Sequence, residues 1–153
     1  MKTLKFGISI ALFSGLLIFS SCEKNDKATN ISSAGGTKSH NTGRNCMECH
    51  KSGGEGEGSF QVAGTAYDST KTATYTNVIV KLFTQPGGTG TLRATINGDA
   101  KGNFFTTETI DFSGGVYPAV YGNSGNVKYM GSTISDGACN ACHGSSTGKI
   151  WTK

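Results

Sequence analysis

Two five-residue stretches, Cys46-Met47-Glu48-Cys49-His50 and Cys139-Asn140-Ala141-Cys142-His143, hold the residue types best suited to chemistry. C-x-x-C-H is the attachment signal for c-type haem. Two thiols three positions apart on a short helical turn reach two vinyl groups of one porphyrin as thioethers. The adjoining histidine then stands on the same face as proximal iron ligand. A chain of this cysteine and histidine content contains one such match by chance about 0.003 times, and here there are two. Cys46, Cys49, Cys139 and Cys142 are therefore expected to hold two haems covalently, with His50 and His143 as proximal ligands. Other readings of the cysteines fit less well. A thiol redox pair wants a βαβ context, and none is visible. A four-thiolate zinc site would have to close across the 89 residues between the pairs, against 15–20 in compact ribbons. Disulfides leave His50 and His143 unexplained.

Haem iron takes two axial ligands, and the inventory is short. The chain has three histidines and three methionines. With His50 and His143 proximal, only His40 remains, so two bis-histidine haems cannot form within one monomer. Met1 leaves with the leader and Met47 lies inside the first C-x-x-C loop, which leaves Met130. The economical expectation gives His40 to one iron and Met130 to the other. Local pairing would put His40 with the first haem and Met130 with the second. Crossed pairing, or a ligand donated by a neighbouring chain, stays open at this stage. A Met/His set holds iron(II) better than His/His and raises the reduction potential.

The fifth cysteine belongs to an address. Lys2 and Lys5 precede a 13-residue, mostly apolar run from Gly7 to Phe19, and Ser20-Ser21 supplies small residues before Cys22. Phe19-Ser20-Ser21-Cys22 resembles a bacterial lipobox. That resemblance implies cleavage before Cys22, acylation of its thiol and amine, and membrane anchoring by several chains. Glu23 resembles the residue that follows the cysteine in lipoproteins sent to the outer membrane. Four thioethers and one acylated terminus use all five cysteines.

The elements that must position these residues are mostly strands. The chain has 153 residues, 23 of them glycine, 35% hydrophobic and only 16% charged, with a formal charge of +4. Without the leader the charge falls to +2, which excludes a polybasic nucleic-acid binder. Glycine buries little, so a large self-sufficient core is not expected, and two porphyrins would supply missing apolar surface. Residues 1–21 read as signal peptide, 22–38 as a flexible tether, 39–58 as an N-terminal haem segment, 59–130 as a β-sandwich and 131–153 as a C-terminal haem segment. Strand signals fall at Phe60–Tyr67, Asn77–Thr84, Thr91–Ile96 (with Leu92, Ala94 and Ile96 inward), Asn103–Thr107, Val116–Tyr121 and Val127–Met130. Gln85-Pro86-Gly87-Gly88 reads as a turn. The fold class is mainly β: a small antiparallel sandwich flanked by short irregular or helical haem-binding segments.

Val62-x-Gly64-x-Ala66-Tyr67-Asp68, Val78–Phe83 and Asp99-x-x-Gly102-Asn103-Phe104 resemble the carboxypeptidase-regulatory-like, transthyretin-type β-sandwich, a likeness that implies a fold and no activity. The whole layout resembles small dihaem c-type cytochrome lipoproteins. That resemblance implies haem chemistry alone. Because no Ser/His/Asp or Arg-clamped substrate constellation is visible, the first expectation is an electron carrier, not an enzyme, tethered to the bacterial envelope and exchanging electrons with redox partner proteins. The alternatives are a dihaem peroxidase or reductase with one open iron, and a polymeric module that stacks copies into an extracellular conduit. Among lesser candidates, Glu55 and Glu57 read as a solvated loop before a cation site. Trp151 reads equally as terminal packing or as a cover for the second porphyrin.

Overall fold

The strand-rich segments form two facing sheets in the computed structural model, which describes residues 25–153. The strands are β1 (Val62–Tyr67), β2 (Ile79–Gln85), β3 (Thr89–Asn97), β4 (Asn103–Thr106), β5 (Tyr117–Tyr121), β6 (Val127–Tyr129), β7 (Gly137–Ala138) and β8 (Ile150–Trp151). One sheet is centred on β1, which pairs antiparallel with β4 and parallel with β7 and β8. The other runs β3-β2-β5-β6 and is antiparallel throughout. The molecule is mainly β, as its alternation of apolar and polar residues requires.

Period-two burial explains the packing. On β2, Val80 and Leu82 are buried and face Val62, Ala66 and Phe104 of the first sheet, with Ile96, Val116 and Val120 completing the core. Each such side chain contributes about 1.5–3 kcal/mol on burial. Residues of the opposite parity on the first sheet also matter. Ala63 pairs with Phe105 and Thr65 with Asn103 across the ladder, and these four line the outer face of that sheet. Ala63, Phe105 and Phe60 form a second small cluster there, against which Cys46 and Met47 pack.

Several details depart from the sequence expectations. Leu92 was expected inward, yet it is 48% exposed. The register moves from Leu82↔Ala94 to Phe83↔Leu92, so Arg93 is the extra residue of a bulge and Leu92 changes face. Residues 25–38 were expected to be a free tether. Part of it is instead held on the β-domain: Ile31 bridges Thr106 and the Ser32 amide donates to Phe105 O at the β4 edge, and the Gly36 carbonyl accepts from Ala100 N. An open strand edge offers unpaired backbone groups, and this segment covers them. β7 and β8, two residues each, carry no period long enough to read from sequence. Cys22 and the leader lie outside the described residues.

Candidate cofactor sites

The first motif folds as a single 3₁₀ turn, Cys46–Glu48, because the Asn45 side chain caps it by accepting from the Met47 amide. The turn continues through His50, whose amide donates to Cys46 O at 3.0 Å. The His50 ring is buried and lies flat on Phe60, with ring centres 4.1 Å apart and planes 5° from parallel. Phe60 in turn stacks on Phe105 at 4.9 Å. His50 Nδ1 lies 2.9 Å from the Glu57 carbonyl oxygen. A carbonyl only accepts, so Nδ1 carries the proton and Nε2 keeps its lone pair for a metal. The glycine-dense loop 51–59 makes this contact feasible, since a Cβ at Gly56 would sit 2.6 Å from the His50 ring. What Glu57 contributes at His50 is its backbone carbonyl.

The second motif repeats the arrangement on a different element. Cys139–Cys142 is one α-helical turn, α1, and the His143 amide donates to Cys139 O at 2.9 Å. His143 Nδ1 lies 2.7 Å from Gly148 O, which again fixes the proton on Nδ1 and frees Nε2. Gly64 on β1 lets the turn approach, because a Cβ there would meet the Phe104 ring and the Cys139 Cβ.

Each motif opens onto a cavity. The first, of about 720 Å³, lies on the outer face of the β1 sheet and is lined by Cys46, Cys49, His50, His40, Phe60 and Phe105. The second, of about 530 Å³, reaches between the sheets, where Val80, Leu82, Phe104 and Val120 meet Cys139, Cys142 and His143. Met130 and Trp151 also line it. Both volumes fall within the range of small-molecule and cofactor sites. The His40 and His50 ring centres are 5.9 Å apart. Two imidazoles ligating one iron from opposite faces stand on the order of 6 Å apart, given metal–nitrogen bonds of about 2 Å. The first cavity thus offers His40 and His50 as donors and the second His143 and Met130, side chains of the types that ligate haem iron.

Charge differs between the two walls. Glu48, Glu55 and Glu57 line the first cavity, with Lys38 and Arg44. The second carries Lys71, Lys128 and Lys149 against Asp136. Lys128 Nζ lies 4.1 Å from the Trp151 ring centre, and Lys149 Nζ lies 4.1 Å from that of Tyr67.

All four motif cysteines are free thiols. Burial pushes the Cys139 thiol up to about 12, a shift to which nearby Asp136, Cys46 and Cys142 add. Burial also raises Cys46, while Cys49 and Cys142 are exposed. Among the described residues no three His, Cys, Asp or Glu side chains converge as a protein-only metal site. The two motifs are spatial neighbours, joined by a hydrogen bond from the second to the residues just before the first. Asn140, inside the second motif, makes the link: its Nδ2 donates to Arg44 O at 3.0 Å and to Thr65 Oγ1 at 3.1 Å.

Sequence reasoning missed this polar link, the Phe60–Phe105 platform and the two orienting carbonyls. Only the last left a trace, as small and turn-forming residues just after each His. Compared with known families, curated proteins and solved structures, the chain matches none.

Proposed function

We propose that the protein is a dihaem c-type cytochrome that carries electrons outside the cytoplasm. The observation that carries this reading is the duplicated constellation. Twice, a C-x-x-C-H turn presents a histidine whose Nδ1–H is held by a backbone carbonyl, beside a cavity lined by a further side chain of a type able to bind iron. Bound haem iron supplies reversible one-electron transfer. The chain's own residues supply the rest. Cys46, Cys49, Cys139 and Cys142 would form the thioethers, and His50 and His143 would ligate from the motif side. His40 would complete the first centre and Met130 the second. Methionine ligation and three lysines favour the less positive, reduced state at the second centre. Histidine ligation and three glutamates favour the oxidised state at the first. Electrons would accordingly pass from the first centre to the second.

The lipobox-like Phe19-Ser20-Ser21-Cys22 supports a lipid anchor at Cys22 and an address at the bacterial outer membrane, with redox proteins as partners. A pyridine haemochrome spectrum and intact mass of the mature protein test the reading together. Two haems per chain are expected. The pairs Cys46→Ala/Cys49→Ala and Cys139→Ala/Cys142→Ala should each remove one. A colourless product from a host with working haem attachment overturns it.

A further inference from the structure

His40 is the exposed member of the first cavity's histidine pair, and its ring makes no hydrogen bond within the described residues. Its position therefore comes from its neighbours in the chain. Asn103, the first residue of β4, is 2% exposed, and its Nδ2 donates to Ser39 Oγ at 2.9 Å and to Thr42 Oγ1 at 3.0 Å. These acceptors bracket His40. The Ser39 carbonyl is also held by Lys101 Nζ at 2.6 Å. Asn103 is fixed in turn, because its amide donates to Asp99 Oδ1 and its Oδ1 accepts from Thr65 Oγ1 at 2.7 Å.

Thr65 is the junction. Its hydroxyl donates once and accepts twice, from the Gly43 amide at 2.9 Å and from Asn140 Nδ2. Asn140 is saturated too, since its Oδ1 accepts from the Thr65 amide at 3.1 Å and its Nδ2 donates to both Thr65 and Arg44. Three side chains, all at least nine-tenths buried, thus form a network in which every amide and hydroxyl proton is used. The network ties both ends of the 39–44 loop to strands β1 and β4 and to the second C-x-x-C-H turn.

We infer that Asn103, Thr65 and Asn140 are positioning residues that hold His40 opposite His50 as the sixth ligand of the first centre. The inference rests on the dihaem reading and adds what makes an exposed histidine dependable there. With the network intact, the loop's conformational freedom is already lost before ligation, so His40 competes well with water or added ligands. Asn140 makes His40 retention sensitive to the second motif, on the far side of β1.

The test uses the full-length, haem-loaded protein, its low-spin electron paramagnetic resonance spectrum and cyanide binding. His40→Ala should abolish the bis-imidazole signal at the first centre and open that iron to cyanide, and added imidazole should restore the low-spin spectrum. Asn103→Ala should lose most of the same signal, regain it with imidazole, and leave the methionine-ligated signal unchanged. Ser39→Ala/Thr42→Val removes the acceptors on the loop and leaves the buried network's strands untouched, so it reports even if Asn103→Ala fails to fold. Thr42→Ser keeps the acceptor and should retain the wild-type spectrum. Retention of the bis-imidazole signal in Ser39→Ala/Thr42→Val, alongside its loss in His40→Ala, overturns the positioning role. An unchanged spectrum in His40→Ala overturns His40 as ligand and the inference with it. A wild-type protein without haem signals instead overturns the dihaem reading.

Discussion

At the scale of single residues, the four motif thiols differ sharply although their sequence contexts are alike. Cys49 and Cys142 are exposed, whereas burial raises Cys46 and pushes Cys139 up to about 12. The thiolate is the reactive species, so a thiol this far above ambient pH is nearly inert. In haem-free protein at about pH 8, alkylation followed by peptide mass mapping should label Cys49 and Cys142 first and Cys139 last. Early labelling of Cys139 would show that α1 is not docked on β1 without haem. Met130 carries a separate expectation. Met130→Ala should remove the far-red absorption of sulfur-ligated iron and lower the potential of one centre, as redox titration would record. If the native oxidised protein lacks that absorption, the methionine assignment fails. The four cysteines were legible from spacing alone, but their unequal burial depends on packing against strand residues far away in the chain.

At the scale of elements, the strands act as rigid mounts, and two glycines mark where a mount and a motif touch. A methyl group at Gly64 would collide with Phe104 and Cys139. Gly64→Ala should therefore cost about 1–3 kcal/mol by overpacking and lower haem occupancy at the second site, read by thermal unfolding and haem absorbance. Gly56→Ala should act locally, displacing the His50 ring from Phe60 and Glu57 O and weakening ligation at the first centre only. The β1–β2 connection contributes a pH-dependent element. Asp68 accepts from the Thr70 hydroxyl and the Thr72 amide, and these bonds, led by Thr70, hold its carboxyl below the ordinary 3.8. A carboxylate with a lowered native pKa stabilises the fold above its unfolded value and loses that contribution as pH falls through the native one. Below about pH 4 the wild-type turn should therefore loosen, whereas Asp68→Asn should have a flatter acid limb in unfolding curves. Equal acid sensitivity in both proteins would assign the effect elsewhere. The main strands were legible because apolar alternation is local. The Arg93 bulge was not, since it depends on which residue of β2 opposes β3.

At the scale of the whole molecule, the two cavities sit differently in the fold. The first lies on the outside of one sheet over Phe60 and Phe105, while the second is continuous with the core through Val80, Leu82, Phe104 and Val120. A ligand that binds only the folded state stabilises it, and an apolar ligand inside the core also replaces missing packing. Loss of the second haem, by Cys139→Ala/Cys142→Ala, should lower the unfolding temperature more than loss of the first, by Cys46→Ala/Cys49→Ala. The reverse order in calorimetry would show that the second cavity collapses without its haem. Taken alone, the amino-acid order determined the two motifs, the strand-rich middle and the short list of residues able to ligate iron, because each depends on neighbours a few positions away. Only the tertiary structure decided that His40 shares a cavity with His50 and Met130 with His143, that Thr65, Asn103 and Asn140 lock the two motifs together, and that residues 30–32 cover a sheet edge. The hydrogen bonds of that lock join residues up to 96 positions apart, as when Asn140 meets Arg44. Such contacts form when sheet pairing brings the segments together, and no local pattern records them.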